Sequence, residues 1–351
     1  MDTISFARGV PAPECLDEAE LADCAREVVA RDGKTILSYG AGNGYAPLRE
    51  VIGEWHGVPA SQVLLTNGGL QGFVLLVQFL ARGKSVFVEL PTYDRPLKIL
   101  NEVGSPIVTM AMDDDGLIPA ALDSALKANP APAFVYTIPT FQNPSGRTVP
   151  EGRRREIVAL AQAAGVTLLE DDPYGRIRFE GTTPPSMYEL APESVIYTSS
   201  FSKTISPGLR VGWYILPENL ARALTEVANS TYITPVQISE AVVYEFIRRG
   251  RYEPNLVRVN ALLKARRDAM LAALDKHLAG STWSRPEGGY FIWLELPKGT
   301  NAKEVLDRAE GVTAVLGTDF GGPENSIRLA YSFVSPDEID EGVQRLAAAI
   351  A

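Results

Sequence analysis

A lysine set among hydroxyls is the first residue whose surroundings suggest chemistry. The run Ser199-Ser200-Phe201-Ser202-Lys203 leads into Pro207-Gly208, and Arg210 returns seven residues after the lysine. A lone lysine is ordinarily a solvated surface cation. Here hydroxyls, a glycine-containing turn and a guanidinium together make an anion site around an amine. An amine crowded by cations loses pKa and gains nucleophilicity. A second group, Glu170-Asp171-Asp172-Pro173-Tyr174, places carboxylates at the end of an apolar run, where burial is costly unless a cation meets them.

Weaker signals accompany these. Thr66-Asn67-Gly68-Gly69-Leu70-Gln71-Gly72 reads as a glycine-rich turn opening a helix, whose free N–H groups and positive dipole end suit a phosphate. Tight backbone geometry alone explains such glycines equally well. Tyr93, in Glu89-Leu90-Pro91-Thr92-Tyr93, can stack on a planar cofactor or simply mark a helix boundary. Asn143-Pro144-Ser145-Gly146 is by itself a good turn and nothing more.

Each of these segments follows an apolar run of strand length. Residues 63–65, 85–89, 107–110, 133–138, 166–169 and 195–198 read as strands, while 71–81, 95–103, 119–128 and 150–164 carry apolar residues at helical spacing. Such alternation predicts an α/β fold with a mainly parallel sheet flanked by helices, and ligands beyond the carboxyl ends of the strands. From Glu218 to about Leu278 the pattern is one of long helices. Residues 289–296 and 326–331 then read as strands beside a helix at 336–350, a smaller α+β layer. The expected division is an N-terminal arm over residues 1–34 that is or joins part of the small domain, a large domain over 35–235 carrying the segments above, and a small C-terminal domain over 236–351.

The 351 residues are 46% hydrophobic and 22% charged, with a formal net charge of −10. A chain this apolar buries a large core, and its length suits one dominant domain with a smaller one. Its acidic balance and scattered basic residues offer no face for nucleic-acid phosphates. The cluster Arg153-Arg154-Arg155 reads as a solvated helix face. Cys15 and Cys24 alone make neither a disulfide framework nor a metal site, which suits a reducing cytoplasm. The N-terminal residues carry no basic segment followed by an apolar run, and Phe73 to Leu80 is too short to span a bilayer.

Taken in order, Asn143-Pro144-Ser145-Gly146, Asp171-Asp172-Pro173-Tyr174 and Ser200-Phe201-Ser202-Lys203 with Pro207-Gly208-Leu209-Arg210 resemble the class I/II aminotransferases of fold type I, which use pyridoxal 5′-phosphate (PLP). The α-aminoadipate and kynurenine transaminases are nearest in pattern, together with aminotransferase-like domains of certain bacterial regulators. The likeness runs from Phe6-Ala7-Arg8-Gly9-Val10-Pro11 to Ile327-Arg328-Leu329-Ala330-Tyr331-Ser332, nearly the whole chain. Each motif is modest alone; the ordered set is specific.

The resemblance implies that Lys203 holds PLP as a Schiff base and moves the proton of the reacting carbon, that Asp171 faces the pyridine nitrogen, and that Asp172 is structural. It implies that Tyr174 and Asn143 hydrogen-bond the cofactor's phenolic oxygen and that Tyr93 stacks on its ring. The phosphate would be held by the N–H groups of Gly69 and Leu70, the hydroxyls of Ser200 and Ser202, Arg210, and Tyr39 from the second subunit of a homodimer. Arg328 would take the substrate α-carboxylate, and Gly9 would let the backbone approach the substrate.

Three positions depart from the family pattern. Gly69 stands where Ser is frequent, Leu316-Gly317 replaces the usual Pro-Gly before the last strand, and Arg8 stands where many relatives have a small residue. Arg8 would either pair with the distal carboxylate of glutamate or 2-aminoadipate or clamp the N-terminal arm; the sequence leaves both open. The expected activity is amino transfer from an L-amino acid to a 2-oxo acid. Another PLP reaction at Cα, that of a cyclase, oxidase or decarboxylase, uses the same residues and is the alternative. A ligand-sensing regulator domain is the weakest reading, since the family pattern begins at Ile4 and the charge is acidic.

Overall fold

The computed structural model describes residues 3–129 and 131–350. A two-residue strand, β1 (Ile4–Ser5), and a 3-10 turn (Pro13–Cys15) precede the helices α1 (Glu18–Ile36) and α2 (Ala46–His56). The Asp17 side chain caps α1 by accepting from the Glu20 N–H, and Gly57 ends α2 in the left-handed conformation. The alternating part then runs β2 (Val63–Thr66), α3 (Gly69–Leu80), β3 (Val86–Leu90), α4 (Asp94–Glu102), β4 (Ile107–Asp113), β5 (Gly116–Leu117) and α5 (Pro119–Ala128). It continues through β6 (Phe134–Thr137), α6 (Glu151–Ala164), β7 (Leu168–Asp171), α7 (Met187–Leu190), β8 (Val195–Ser200) and β9 (Gly212–Ile215).

These strands form one sheet in the order β2-β9-β8-β7-β6-β3-β4-β5. From β8 across to β4 the pairs are parallel, whereas β9 is antiparallel to both β2 and β8. Strands β6, β8 and β9 are buried along their whole length, as strands covered on both faces must be. Strand β9 falls outside the six expected strands, because its residues follow directly on the lysine segment and continue its glycine-containing turn. The order reverses at β3 and β6: β4 follows β3 outward on one side, and β7 and β8 follow β6 on the other. A reversal of this kind leaves a crevice at the carboxyl ends of the strands.

The remaining chain forms α8 (Glu218–Tyr232), α9 (Gln237–Arg248), α10 (Tyr252–His277), β10 (Thr282–Trp283), β11 (Phe291–Glu295), α11 (Ala302–Arg308), β12 (Val312–Thr313), β13 (Val315–Leu316), β14 (Ser326–Ala330) and α12 (Pro336–Ala348). A second, antiparallel sheet has the order β10-β11-β14-β13, and β1 pairs with β12. A capping box between Ser335 and Glu338, with Pro336 at the first helical position, starts α12.

Packing shares the N-terminal arm and the helices after residue 235 between two cores. Ala12, Cys15, Cys24 and Val28 join the large-sheet core, as do Val243 and Phe246 of α9 and Leu256 and Leu263 of α10. Ile4 and Phe6 instead join the C-terminal core with Met270 and Leu274. The two cores therefore meet along α10, a 26-residue helix that contributes its first half to one and its second half to the other.

Candidate active site

A cleft of about 420 Å³ opens at the carboxyl edge of the large sheet, and every expected cofactor or substrate residue lines it except Arg8 and Tyr39. Lys203 sits beyond β8 in a tight turn. Its Nζ donates to the Gly9 carbonyl at 2.9 Å and stands over the rings of Tyr174 and Tyr290, at 5.7 and 5.4 Å from their centroids. Burial, reinforced by the nearby Arg328 and Arg210 cations and opposed by Asp171, pulls the amine down to about 8. The neutral, nucleophilic form is thereby accessible near neutral pH.

Asp171 ends β7 on the same side. It accepts from the Tyr136 hydroxyl at 2.8 Å, and burial pushes its carboxyl up to about 7, with Asp172 and Glu89 adding to the rise. A carboxylate so poor in partners is stabilised by any N–H⁺ brought against it. Asp172 faces the other way. Its carboxylate takes the Tyr197 hydroxyl at 3.1 Å, and its surroundings are Arg154 and Arg178 rather than the cleft cations. Tyr174, also buried and raised for that reason, packs edge-on against Phe291 at 5.7 Å.

The end of the cleft where a phosphate is expected combines backbone groups with the side chains of Arg210, Ser200 and Ser202. Arg210, itself in the left-handed conformation, donates to the carbonyls of Asn67 and Pro207 at 3.3 and 3.2 Å and approaches the Ser202 hydroxyl at 3.5 Å. Ser200 and Ser202 hydrogen-bond each other at 2.9 Å. Gly68 has φ of 85°, and a Cβ there would stand 2.3 Å from Arg210 Nη2, so only glycine lets the guanidinium cross the N-terminus of α3. Gly69 and Leu70 then present the first, unpaired N–H groups of that helix.

Elsewhere in the cleft, where the substrate is expected, Arg328 on β14 donates to the Asn143 side-chain oxygen at 3.0 Å and to the Ala7 carbonyl at 2.9 Å. Its Nε is buried without a partner, and its guanidinium lies over the rings of Phe291 and Phe320. Gly9 abuts Phe291, where a Cβ would come within 2.6 Å of the ring. Tyr93 lines the cleft at the start of α4. Arg8 does not: its guanidinium stacks on Phe333 at 4.8 Å. Tyr39 lies beyond the end of α1, 81% exposed.

Several residues that the sequence did not single out hold this arrangement. Tyr136 carries the one hydroxyl on Asp171 named above; it lies mid-strand, where periodicity marks only burial. Gln142 donates to the Glu89 carboxylate at 3.1 Å and to the Pro91 carbonyl at 2.8 Å and accepts from the Ser145 N–H, tying the Tyr93 loop to the Asn143 loop. Arg154, expected on a solvated face, is 1% exposed. Its guanidinium reaches Glu170, Thr140 and the carbonyls of Pro139, Val149 and Pro185, because α6 packs on the sheet with that position inward.

The residues present fit PLP: a helix N-terminus with Arg210 for a dianionic phosphate, a carboxyl short of cations for the pyridinium, and a depressed lysine amine between them. This combination of an α/β sheet with a cleft at its switch point and a lysine-centred anion site defines a PLP enzyme of fold type I. The chain belongs to the aminotransferase class I and II family, whose model matches residues 4–346. It is 36% identical over 359 residues to the 2-aminoadipate transaminase of Thermus thermophilus, covering 99% of this chain and 90% of that protein. The crystal structure of an α-aminoadipate aminotransferase from Thermus thermophilus, complexed with N-(5′-phosphopyridoxyl)-L-leucine, superposes with a TM-score of 0.94 at 35% identity over 99% of this chain and 92% of that one. The kynurenine aminotransferase of Pyrococcus horikoshii gives the same TM-score at 34% identity, covering 100% of this chain and 91% of that one. The protein is a PLP-dependent transaminase. Among the described residues no helix is long and apolar enough to cross a membrane.

Proposed function

We propose that the protein transfers the amino group of an L-amino acid to a 2-oxo acid, with Lys203 as the covalent attachment point for PLP and as the group that moves the proton of the substrate Cα. The observation that carries this reading is the convergence of Lys203, Asp171, Arg210 and Arg328 on one cleft, each with the charge its role requires. PLP, when bound, supplies a ring that withdraws electrons from the reacting carbon.

The chain's own residues do the rest. Arg328 fixes the α-carboxylate with its two terminal nitrogens, giving up the Asn143 oxygen and the Ala7 carbonyl for it. Arg328 and the Lys203 amine line the same cleft, so a substrate held by its α-carboxylate would keep Cα within reach of the amine. Asp171 would hold a proton on the pyridine nitrogen, and Tyr174 and Asn143 would donate at the phenolic oxygen. The aromatic walls Tyr93, Tyr174 and Phe291 exclude water around the amine.

For the substrate side chain, the relatives' names favour 2-aminoadipate-like or aromatic donors. The stacking of Arg8 on Phe333 favours its role as a clamp on the N-terminal segment over pairing with a distal carboxylate. A homodimer is part of the reading. Leu37, Tyr39, Ile233 and Val236 are 65%, 81%, 49% and 48% exposed; the chain just after Tyr39 meets the segment that carries Ile233 and Val236, the Thr234 hydroxyl donating to the Ala41 carbonyl at 3.3 Å, and the Val236 N–H bonds the Asn67 side chain, whose own carbonyl takes Arg210. This apolar patch is thus continuous with the phosphate end, as a subunit contact contributing Tyr39 requires. A cytoplasmic setting is expected from the free, buried Cys15 and Cys24.

The test is to incubate the purified protein with glutamate and follow formation of 2-oxoglutarate together with conversion of the cofactor's absorbance to that of its amine form. Lys203→Ala should bind PLP noncovalently through the phosphate and ring contacts yet lose transfer by at least about three orders of magnitude. Full turnover by Lys203→Ala would sink the assignment. Release of carbon dioxide or ammonia in place of the oxo acid would point to the alternative chemistry at Cα.

A further inference from the structure

The turn that carries Lys203 is not a helix, and its backbone is poorly self-sufficient. The N–H groups of Thr204, Ile205 and Ser206 all converge on the Phe201 carbonyl, at 3.3, 2.9 and 3.1 Å. Among the described residues the carbonyls of Lys203 and Thr204 take their hydrogen bonds from side chains instead. The Tyr290 hydroxyl donates to the Lys203 carbonyl at 2.9 Å, and Asn255 Nδ2 donates to the Thr204 carbonyl at 2.7 Å. Tyr290 is wholly buried, and its ring, tilted 55° to that of Tyr174, forms one of two aromatic walls beside the lysine amine. One side chain therefore touches both ends of Lys203.

Where Tyr290 comes from matters as much. It enters from the C-terminal layer immediately before β11, after Gly288, whose backbone passes so close to Ile177 that a Cβ would stand 2.1 Å from that carbonyl. Strand β11 pairs with β14, with Trp293 opposite Arg328, and the Tyr331 N–H bonds the Tyr290 carbonyl. The sheet that carries the Arg328 guanidinium thus also anchors the backbone of a lysine that belongs to the other layer.

We propose that Tyr290 is a positioning residue for Lys203: its hydroxyl locks the lysine turn, and its ring confines the amine, in the frame that also holds Arg328. The inference rests on the assignment of Lys203 as the PLP attachment point. A lysine turn without that anchor keeps its phosphate and ring contacts but samples wrong placements of the amine, so covalent capture suffers while noncovalent binding does not.

Apoprotein mixed with PLP tests this. Capture, in which the amine nitrogen bonds the aldehyde carbon and the aldehyde oxygen leaves as water, is followed by stopped-flow absorbance. Affinity for pyridoxamine 5′-phosphate, which cannot form that bond, is titrated in parallel. Tyr290→Phe, which keeps the ring, is expected to slow capture about tenfold with affinity for pyridoxamine 5′-phosphate within about twofold of the parent, and Tyr290→Leu to slow it further. Capture at the parent rate by Tyr290→Phe, or a matching loss of pyridoxamine 5′-phosphate affinity, overturns the proposal. Should Tyr290→Phe fail to fold, Asn255→Ala, acting on the adjacent carbonyl, carries the same expectation and the same overturning results. Capture by Lys203→Ala would instead refute the lysine assignment itself, so the two failures are told apart.

Discussion

Two neighbouring carboxylates show how one residue of register decides a role. Asp171 ends β7 and Asp172 follows it on the opposite face, so the first looks into the cleft with Tyr136 and the second toward Tyr197 and Arg154. Asp171→Asn removes the cleft carboxyl proposed to face the pyridine nitrogen, and transfer should fall by two or more orders of magnitude, a loss of about 3 kcal/mol or more. Asp172→Asn removes a charge that raises the Asp171 pKa, so Asp171 ionises more readily and transfer should stay within about tenfold of the parent. Steady-state kcat for the two variants checks the ranking, and the reverse order would mean that the strand's faces have been exchanged. Gly69 offers a gain rather than a loss. Its φ is ordinary, and the nearest atom to an added Cβ is Thr198 Oγ1 at 3.8 Å, so serine fits without strain. A hydroxyl at that helix N-terminus adds one charge-assisted hydrogen bond to the phosphate, and Gly69→Ser should tighten PLP about tenfold in a fluorescence titration. Unchanged or weaker binding would place the phosphate away from Gly69. Residues of this kind were legible in the sequence because they stand in loops after strands and form ordered motifs. Tyr136, Gln142 and Tyr290 were not, since they act through partners distant in sequence and carry no motif of their own.

The elements were read with uneven success, for physical reasons. Strands β2, β3, β6, β7 and β8 announce themselves as short apolar runs bounded by turns, and the parallel core of the sheet follows from their alternation with helices. Strand β9 and the inward face of α6 are matters of tertiary packing, which a local pattern does not contain. The Arg153-Arg154-Arg155 cluster shows this best: Arg153 pairs with Asp113 and Arg155 with Glu151 at the surface, while Arg154 is drawn inside to meet Glu170 at the end of β7. Burial raises the Glu170 carboxyl from 4.5 to about 7, so the folded chain keeps a proton that the unfolded chain sheds. Stability is consequently lost as pH rises from about 4.5 to about 7, and Arg154 opposes that loss. Without the guanidinium the Glu170 pKa rises further and the loss extends to higher pH. Arg154→Leu should therefore cost about 3–5 kcal/mol near pH 8 and distinctly less near pH 5.5, where Glu170 is protonated in both proteins. Urea unfolding at the two pH values measures it; equal costs would assign the effect to the carbonyl contacts of Arg154 rather than to its pairing with Glu170.

At the scale of the whole molecule, the cleft is assembled from parts that one chain brings together and one part that it does not. Lys203 and Asp171 belong to the large sheet, and Arg328 and Tyr290 to the C-terminal layer. Gly9 comes from the segment that follows β1. Tyr39, unlike the other expected phosphate residues, does not line the cleft; it is 81% exposed, as to a lesser degree are the apolar side chains of Leu37, Ile233 and Val236. Exposed side chains of that size beside the phosphate end make sense if a second copy covers them, because a patch of this composition is otherwise an aggregation liability. A two-fold contact would then bring each Tyr39 to the partner's cleft. The consequence is testable by mixing two defective proteins. A Tyr39→Phe chain retains Lys203 but offers a damaged tyrosine, and a Lys203→Ala chain retains Tyr39 but has no amine. Each homodimer is impaired at both sites, whereas a mixed dimer has one site with neither change and one site with both. Random reassortment after mild denaturation gives mixed dimers as half of the population, so roughly a quarter of all sites should be intact, and activity should recover toward that fraction. Recovery must depend on reassortment, and simply combining the folded homodimers should give only the sum of their separate activities. No recovery after exchange, or full activity of a chain shown to be monomeric by sedimentation, would place Tyr39 outside the active site.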